Sequence, residues 1–275
     1  MKDQHPRSFE EILELDVPIF EVQVWWGSTK HLGGQKATNE LLALCRVGEQ
    51  TKLLDVGCGV GITSCYTAKK YHCCVTGVDI SSSMIYRARE RAEKEKVQNI
   101  VQFETGSALN LPFPDNTFDA VIAESVLTFI GDKKRALQEC LRVAKPGGYI
   151  GINEASWLKE PSSREMINHL SIAFGDEAEI LSPEEWCNIF EEVHLREITV
   201  ERFLFGGATR AYMASISQIG GNYIPRIFGR FFLAYVRYPA FRRYLRKILL
   251  SIPEDLFVYL GYGIYVGRKS TFFNF

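Results

Sequence analysis

The stretch Leu53-Leu54-Asp55-Val56-Gly57-Cys58-Gly59-Val60-Gly61 decides the fold of this chain. An apolar run enters it, a glycine-rich turn closes it, and residues 62–70 can continue as a helix. It therefore reads as strand, tight loop, helix. Glycines at alternate positions let the backbone turn sharply and leave no side chain over the loop. The helix that follows aims free N–H groups at whatever lies there, which favours a carboxylate or phosphate. A nicotinamide dinucleotide loop wants G-x-G-x-x-G, whereas the spacing here is G-x-G-x-G. Further on, Val75-Thr76-Gly77-Val78-Asp79 reads as a second buried strand ending in an acid. That acid is placed to accept hydrogen bonds from both ribose hydroxyls of a nucleoside. Loop and acid together specify an adenosine-type ligand, but not which one.

Four motifs stand in order: residues 55–61, then Gly77-Val78-Asp79-Ile80-Ser81, then Leu111-Pro112-Phe113 with Phe118-Asp119-Ala120-Val121, then Lys145-Pro146-Gly147-Gly148. In this order and spacing the chain resembles the class I S-adenosylmethionine-dependent methyltransferases, in their small-molecule and lipid branch. The resemblance covers roughly residues 36–154. It implies an α/β, Rossmann-like, seven-stranded sheet, mostly parallel with an antiparallel last strand and helices on both faces. It also implies S-adenosyl-L-methionine as cofactor. On the matching positions it implies a cofactor set of Asp55, Gly57, Cys58, Gly59, Gly61, Asp79, Ile80, Ser107, Ala108, Glu124 and Ser125. In relatives an Asp often stands at the position of Ser107 and binds the adenine amino group, so the sequence departs from the pattern there.

Length and composition bound the rest. The 275 residues allow one large domain, or one with an elaboration, and 46% hydrophobic residues supply a full core. A net charge of −1 argues against a general nucleic-acid binder. Seven scattered cysteines show no zinc spacing and read as reduced thiols of a cytoplasmic protein. No metal site is expected. The first residues are polar and charged, unlike a signal peptide, and no apolar run reaches bilayer length.

Taken in order, Val24-Trp25-Trp26-Gly27 and His31-Leu32-Gly33-Gly34 precede the first core helix, expected over residues 38–45. The resemblance implies that Trp26, His31, Gly33 and Gly34 lie near the methionine end of the cofactor or the substrate. Trp25 and Trp26 read equally well as a plug at the edge of the core. His31 reads as a catalytic base or as a hydrogen-bonded positional group. Ser81 is expected to cap a helix running to about residue 96. Strands follow at 100–104 and 118–123, a helix at 132–143, and a tight turn at 145–148 into a strand over 149–153. Glu124 and Glu154 stand at strand ends on the ligand side, with Trp157 just beyond. Residues 155–193 read as helical, with Ser182 and Pro183 starting a helix. The last two strands are expected at 196–205 and 257–268.

Between those strands, residues 202–253 hold no Asp or Glu, while nine Arg and Lys alternate with aromatics. Helical spacing puts Arg226, Arg230 and Arg237 on one face, and Pro239 starts a second helix. Such helices suit an anionic membrane surface, a lid over an apolar pocket, or an ordinary packed cap with a solvated basic face. The organisation expected is a cofactor-covering segment at 1–35, a core at 36–206, a basic aromatic helical insertion at 207–250, and a last strand with tail at 251–275.

Methyl transfer from a sulfonium needs alignment and dryness more than acid–base chemistry. Where the acceptor must lose a proton, Glu124, Glu154 and His31 are the candidate bases, and Trp25, Trp26 and Trp157 the candidate substrate contacts. The fourth strand ends in Glu124-Ser125-Val126-Leu127, with no Asn-Pro-Pro-Tyr-type motif, which disfavours nucleic-acid bases and glutamine amides. The expected acceptor is small, apolar or lipid-like, and a peripheral contact with an anionic membrane is expected alongside. The alternatives are a small amine as acceptor, or a non-catalytic cofactor-binding or membrane-adaptor protein.

Overall fold

In the computed structural model of the chain, the residues described are 31–161, 166, 178–205, 224–251 and 256–271. Seven strands form one sheet in the order β3-β2-β1-β4-β5-β7-β6. They are β1 (Lys52–Val56), β2 (Cys74–Asp79), β3 (Val101–Thr105), β4 (Phe118–Glu124), β5 (Ala144–Trp157), β6 (Leu195–Leu204) and β7 (Leu260–Lys269). The β1–β2, β1–β4, β2–β3 and β4–β5 pairs are parallel. Strand β7 runs antiparallel to both β5 and β6. The chain leaves β1 for β2 on one side and returns to β4 on the other, so a crevice opens at the C-terminal end of β1. Ligands of open α/β sheets bind at such a switch point.

Helices cover both faces. On one lie α1 (Gly34–Leu44), α2 (Ile62–Tyr71) and α3 (Ser82–Glu95), whose Leu41, Cys65, Ile85 and Ala88 share a buried cluster with Leu53, Val75 and Ile122. On the other lie α4 (Lys133–Val143) and α5 (Pro183–Glu192), where Leu137, Trp186 and Phe190 pack with Val121, Ile150 and Tyr265. Trp186, Phe190 and Tyr265 are fully buried, and each such side chain contributes about 2–3 kcal/mol. The central strands β1 and β4 are almost continuously buried because both sheet faces are covered there, whereas β3 and β6 leave many residues exposed. The caps are in place. Ser81 accepts from the Met84 N–H, and Ser182 and Glu185 form a reciprocal capping box.

Three elements differ from the sequence-based expectation. Strand β5 begins at Ala144, so Lys145-Pro146-Gly147-Gly148 is an irregularity inside the strand rather than a turn before it, and the register with β4 shifts between Phe118 and Ala120. Gly148 is required there, since a Cβ would lie 2.9 Å from the Asp119 carbonyl. Strand β5 also continues through Trp157, where helix was expected, because β7 pairs with it along its whole second half. Residues Leu256–Tyr259 make a helical turn, α8, and only from Leu260 does the strand begin.

The described part of the stretch between β6 and α8 forms two helices, α6 (Ile224–Arg237) and α7 (Pro239–Ser251), with Pro239 starting the second. They meet through buried Ala234 and Phe241, and Phe231 stands edge-on to Phe241 at 5.5 Å. Arg242 donates to the carbonyls of Tyr235 and Val236 at 2.6 and 2.9 Å, capping the last turn of α6. On the opposite side of α6, Phe232, Leu233 and Val236 are 69, 54 and 58% exposed.

Candidate active site

The glycine loop is held from beneath. The N–H groups of Gly57 and Cys58 both donate to the Val78 carbonyl, at 2.7 and 3.0 Å. Gly57, Gly59 and Gly61 all take positive φ, between 54° and 74°, a region that strains other residues. A Cβ on Gly57 would lie 2.3 Å from a Val126 methyl, and one on Gly61 would lie 2.7 Å from the Phe103 ring. The loop is therefore glycine because its backbone and its neighbours both require it. At the tip of β2, Asp79 accepts from the N–H groups of Gly59 and Ser81, each at 2.9 Å. Burial raises its pKa, and those two donors pull it back down. Ile80, next along, is 77% exposed, an apolar face beside the acid. Ser107 is engaged locally, its hydroxyl accepting from the Leu109 N–H at 3.2 Å.

Strand β4 delivers Glu124 to the centre of a polar cluster. Thr63 donates to it at 2.9 Å, Thr38 at 3.1 Å and Asn153 at 3.4 Å, and His31 Nδ1 lies 3.2 Å away. Thr38 Oγ1 also lies 3.1 Å from His31 Nε2. A single hydroxyl proton cannot serve both partners, so Thr38 links the two groups when it donates to Glu124 and accepts from a protonated Nε2 of His31. The next residue, Ser125, has φ 56°, an unusual value for a serine and a mark of local strain. Its hydroxyl accepts from the Leu32 N–H at 3.2 Å, while Asn153 Nδ2 donates to the Leu32 carbonyl at 2.8 Å. The backbone at Leu32 is thus clamped over the ends of β4 and β5. That contact fixes the Asn153 amide: Nδ2 faces Leu32, and Oδ1 is buried with no hydrogen-bond partner.

Glu154 has a different task from the one its position suggests. It is fully buried, and it accepts from the N–H groups of Val126, Leu127 and Thr128 and from the Thr128 hydroxyl, at 2.7–3.2 Å. Burial raises its pKa, and these donations offset the rise. Its oxygens hold the loop after β4 rather than face the crevice. Asp55 is likewise buried, accepts from Ser64 at 2.5 Å, and lies beneath the glycine loop. Trp157 is buried at the end of β5, paired with Leu260 of β7, in the same buried cluster as Phe205 and Tyr262. Trp25 and Trp26 lie outside the described residues.

Beyond the Leu32 clamp lies an aromatic wall. A Cβ on Gly33, whose φ is 72°, would lie 2.4 Å from the Tyr262 ring and hydroxyl. Tyr262 stacks on Phe203 at 4.9 Å and tilts against Phe205 at 5.8 Å, and Phe205 meets Phe257 edge-on. Burial raises the pKa of the Tyr262 phenol. Thr38, Thr63, Asn153 and Tyr262 carry no motif. The signal that could have pointed to Asn153 is a polar residue at the end of an otherwise apolar strand.

Comparison with known proteins agrees with this geometry. Residues 54–152 match a family model described as a methyltransferase domain. The chain is 30% identical over 199 residues to an uncharacterised protein of Haemophilus influenzae, covering 72% of this chain and 76% of that one. It is 32% identical over 134 residues to ajmaline N-methyltransferase of Rauvolfia serpentina, covering 45% of this chain and 46% of that enzyme. In fold it is similar to an S-adenosylmethionine-dependent methyltransferase of Geobacter sulfurreducens solved with S-adenosyl-L-homocysteine. The TM-score is 0.68 at 21% identity, over 92% of this chain and 98% of the other. The chain belongs to the class I S-adenosylmethionine-dependent methyltransferases. Among the described residues no group of three or more His, Cys, Asp or Glu could hold a metal ion.

The residues present suit the family's cofactor. The glycine loop leaves room for a chain to pass, Asp79 stands at the tip of β2 where an acceptor would suit a ribose, and Ile80 has an exposed apolar face that would suit a ring. The three carboxylates Asp55, Asp79 and Glu124 suit a cationic ligand, and none of them is paired with a described Lys or Arg.

Proposed function

We infer that this chain transfers a methyl group to a small, apolar or lipid-like acceptor. The observation that carries this reading is the aromatic wall of Tyr262, Phe203, Phe205 and Phe257, which begins where Gly33 closes the crevice. An acceptor lying on that wall would approach the crevice along the Leu32 clamp. When bound, the cofactor supplies an activated sulfonium methyl. The chain's own work is alignment and exclusion of water. Glu154 fixes residues 126–128, and the Ser125–Leu32–Asn153 clamp closes the crevice edge. In this reading Gly57 to Gly61, Asp79, Ile80, Ser107, Ala108 and Ser125 line the cofactor. Where the acceptor has a proton to lose, the His31–Glu124 pair takes it, with Thr38 as the link between them. Glu154 serves as a positioning group and not as the base.

A small amine is the second reading, favoured by the crevice carboxylates, which pair with no described Lys or Arg, and by the likeness to ajmaline N-methyltransferase. We further propose that the enzyme works in the cytoplasm and touches an anionic membrane surface reversibly through α6. Its support is the exposed row Phe232, Leu233 and Val236 bordered by Arg237, within a stretch that has no acidic residue. No described helix is long and apolar enough to cross a membrane.

The test is methyl-labelled cofactor incubated with the enzyme and, in parallel, a total lipid extract or a panel of water-soluble amines. Label entering the organic phase is expected. Label entering only the amines would replace the apolar acceptor by the second reading. No S-adenosyl-L-homocysteine above background with any acceptor would favour a non-catalytic binding protein.

A further inference from the structure

The carboxylates of the crevice form a pattern that contact chemistry alone does not explain. Strands β2, β1 and β4 are neighbours, with Asp55 paired to Gly77 on one side and to Ile122 on the other. Asp79 and Glu124 each lie two residues beyond those partners, on the same sheet face. They therefore flank Asp55 one strand away and one pleat higher, at roughly 8 Å between α-carbons. Asp79 is partly exposed, whereas Glu124 and Asp55 are both nearly enclosed, with 4% of the Glu124 side chain and 2% of Asp55 exposed, and Asp55 is held by the Ser64 hydroxyl behind the loop.

We propose that Asp55 is a specificity residue acting through charge, which weights the crevice toward the cationic methyl donor over its neutral demethylated product. The two ligands share the adenosine and amino-acid ends and differ at sulfur, where one carries a positive charge and an extra methyl. A negative charge behind the loop attracts only the first. Burial and the charges of Glu124 and Asp79 push the Asp55 carboxyl up to about 7, against the pull of the Ser64 hydroxyl. Among the described residues the titratable groups facing it are Glu124 on β4, Asp79 on β2, and the thiols of Cys58 and Cys65 on the loop and α2. His31 lies against Glu124, with Nδ1 3.2 Å from its carboxylate. A cation in the crevice favours the ionised carboxylate, so donor binding releases a proton from Asp55 to the buffer. A neutral occupant leaves that proton in place. Because release accompanies binding, donor affinity rises with pH; if Asp55 ionises fully on binding, the rise is about tenfold between roughly pH 6 and 8.

The inference rests on the donor occupying the glycine-loop crevice, and the experiment sees that first, as donor binding itself. Isothermal calorimetry is run with S-adenosyl-L-methionine and with S-adenosyl-L-homocysteine, at several pH values and in two buffers of different ionisation enthalpy. The wild type should release more protons with the donor than with the product, and its donor-to-product affinity ratio should rise with pH. The donor's sulfonium also lowers the pKa of its own α-ammonium, a contribution that Asp55→Asn leaves in place, so the share of Asp55 is read as the difference between wild type and variant. Asp55→Asn keeps the shape and an acceptor for Ser64. It should flatten the pH dependence and lower the ratio several-fold, whereas a merely structural role would weaken both ligands alike. An unchanged ratio in Asp55→Asn overturns the proposal. If that variant does not fold, equal proton release for the two ligands in the wild type overturns it as well.

Discussion

The crevice at the ends of β1, β2 and β4 and the helical pair α6–α7 are built on opposite rules. The crevice is acidic, buried and fixed by backbone geometry: positive-φ glycines, paired N–H donors and strand-end carboxylates that pair with no described Lys or Arg. The helical pair is basic and rests on amphipathy, with one buried seam at Ala234 and Phe241 and exposed apolar residues opposite. Where backbone conformation sets the function, few residue types are tolerated. Where amphipathy sets it, many sequences suffice.

Glycine substitutions should show the difference most sharply. Gly57→Val meets Val126 and forces a positive φ on a β-branched residue. Strain and overpacking together should cost about 3–5 kcal/mol and abolish donor binding, as read by thermal unfolding and calorimetry. Gly229 lies in α6, where an added Cβ meets nothing within 4 Å. Gly229→Ala should leave stability unchanged or raise it by about 0.5–1 kcal/mol. A costly Gly229→Ala would show that α6 is packed rather than free.

The buried acid gives the second contrast. Asp55 has a folded-state pKa raised from 3.8 to about 7, so between these values the native state holds a proton that the unfolded chain has lost. Its contribution is fully present below the unfolded pKa and is lost as pH rises through the folded one. At ~1.4 kcal/mol per pKa unit, Asp55→Asn should gain up to about 4 kcal/mol over the wild type as pH rises from roughly 4 to 7, then level off. Denaturant melts across that window measure it, and a constant difference between the two proteins would contradict it.

Glu154 should come next. Glu154→Gln turns an amide N–H₂ toward backbone donors, leaving at least one unpaired, at a cost of about 2–3 kcal/mol. The turnover rate should fall further than donor affinity, because residues 126–128 shift. Unchanged turnover would return Glu154 to a bystander's role. The smallest expected effect on stability lies in α6–α7. Replacing Arg237, Arg243 and Arg246 together by Gln should leave folding and donor binding alone yet release the protein from anionic vesicles. Each arginine near the surface contributes about 1 kcal/mol, reduced by salt. Equal sedimentation of variant and wild type would make the helices a plain cap.

Legibility in the sequence followed the same division. The backbone of the loop was legible because only glycine fits its positive-φ turns, and the places of Asp79 and Glu124 at strand ends followed from the apolar runs before them. The hydrogen bonds of Glu154 were not, since a strand-end acid looks the same in sequence whether it faces a ligand or holds residues 126–128. Thr38 and Thr63 were invisible because their shared partner, Glu124, lies 86 and 61 residues away along the chain. Residues 155–157 read as helix because nothing local shows that β7 will extend β5, a pairing made more than a hundred residues later. Arg242 read as one basic face residue among several, although its guanidinium caps α6.

The central claim is that the crevice holds S-adenosyl-L-methionine with Asp79 as its ribose acceptor. Its direct measurement is a calorimetric titration of the wild type and Asp79→Ala with S-adenosyl-L-methionine, and of the wild type with a nicotinamide dinucleotide. The wild type should bind the methyl donor and not the dinucleotide. Loss of a charge-assisted bond should weaken donor binding in the variant by about 1.5–3 kcal/mol, or roughly 10- to 150-fold. Equal donor affinity in the two proteins, or tight dinucleotide binding by the wild type, would contradict the account.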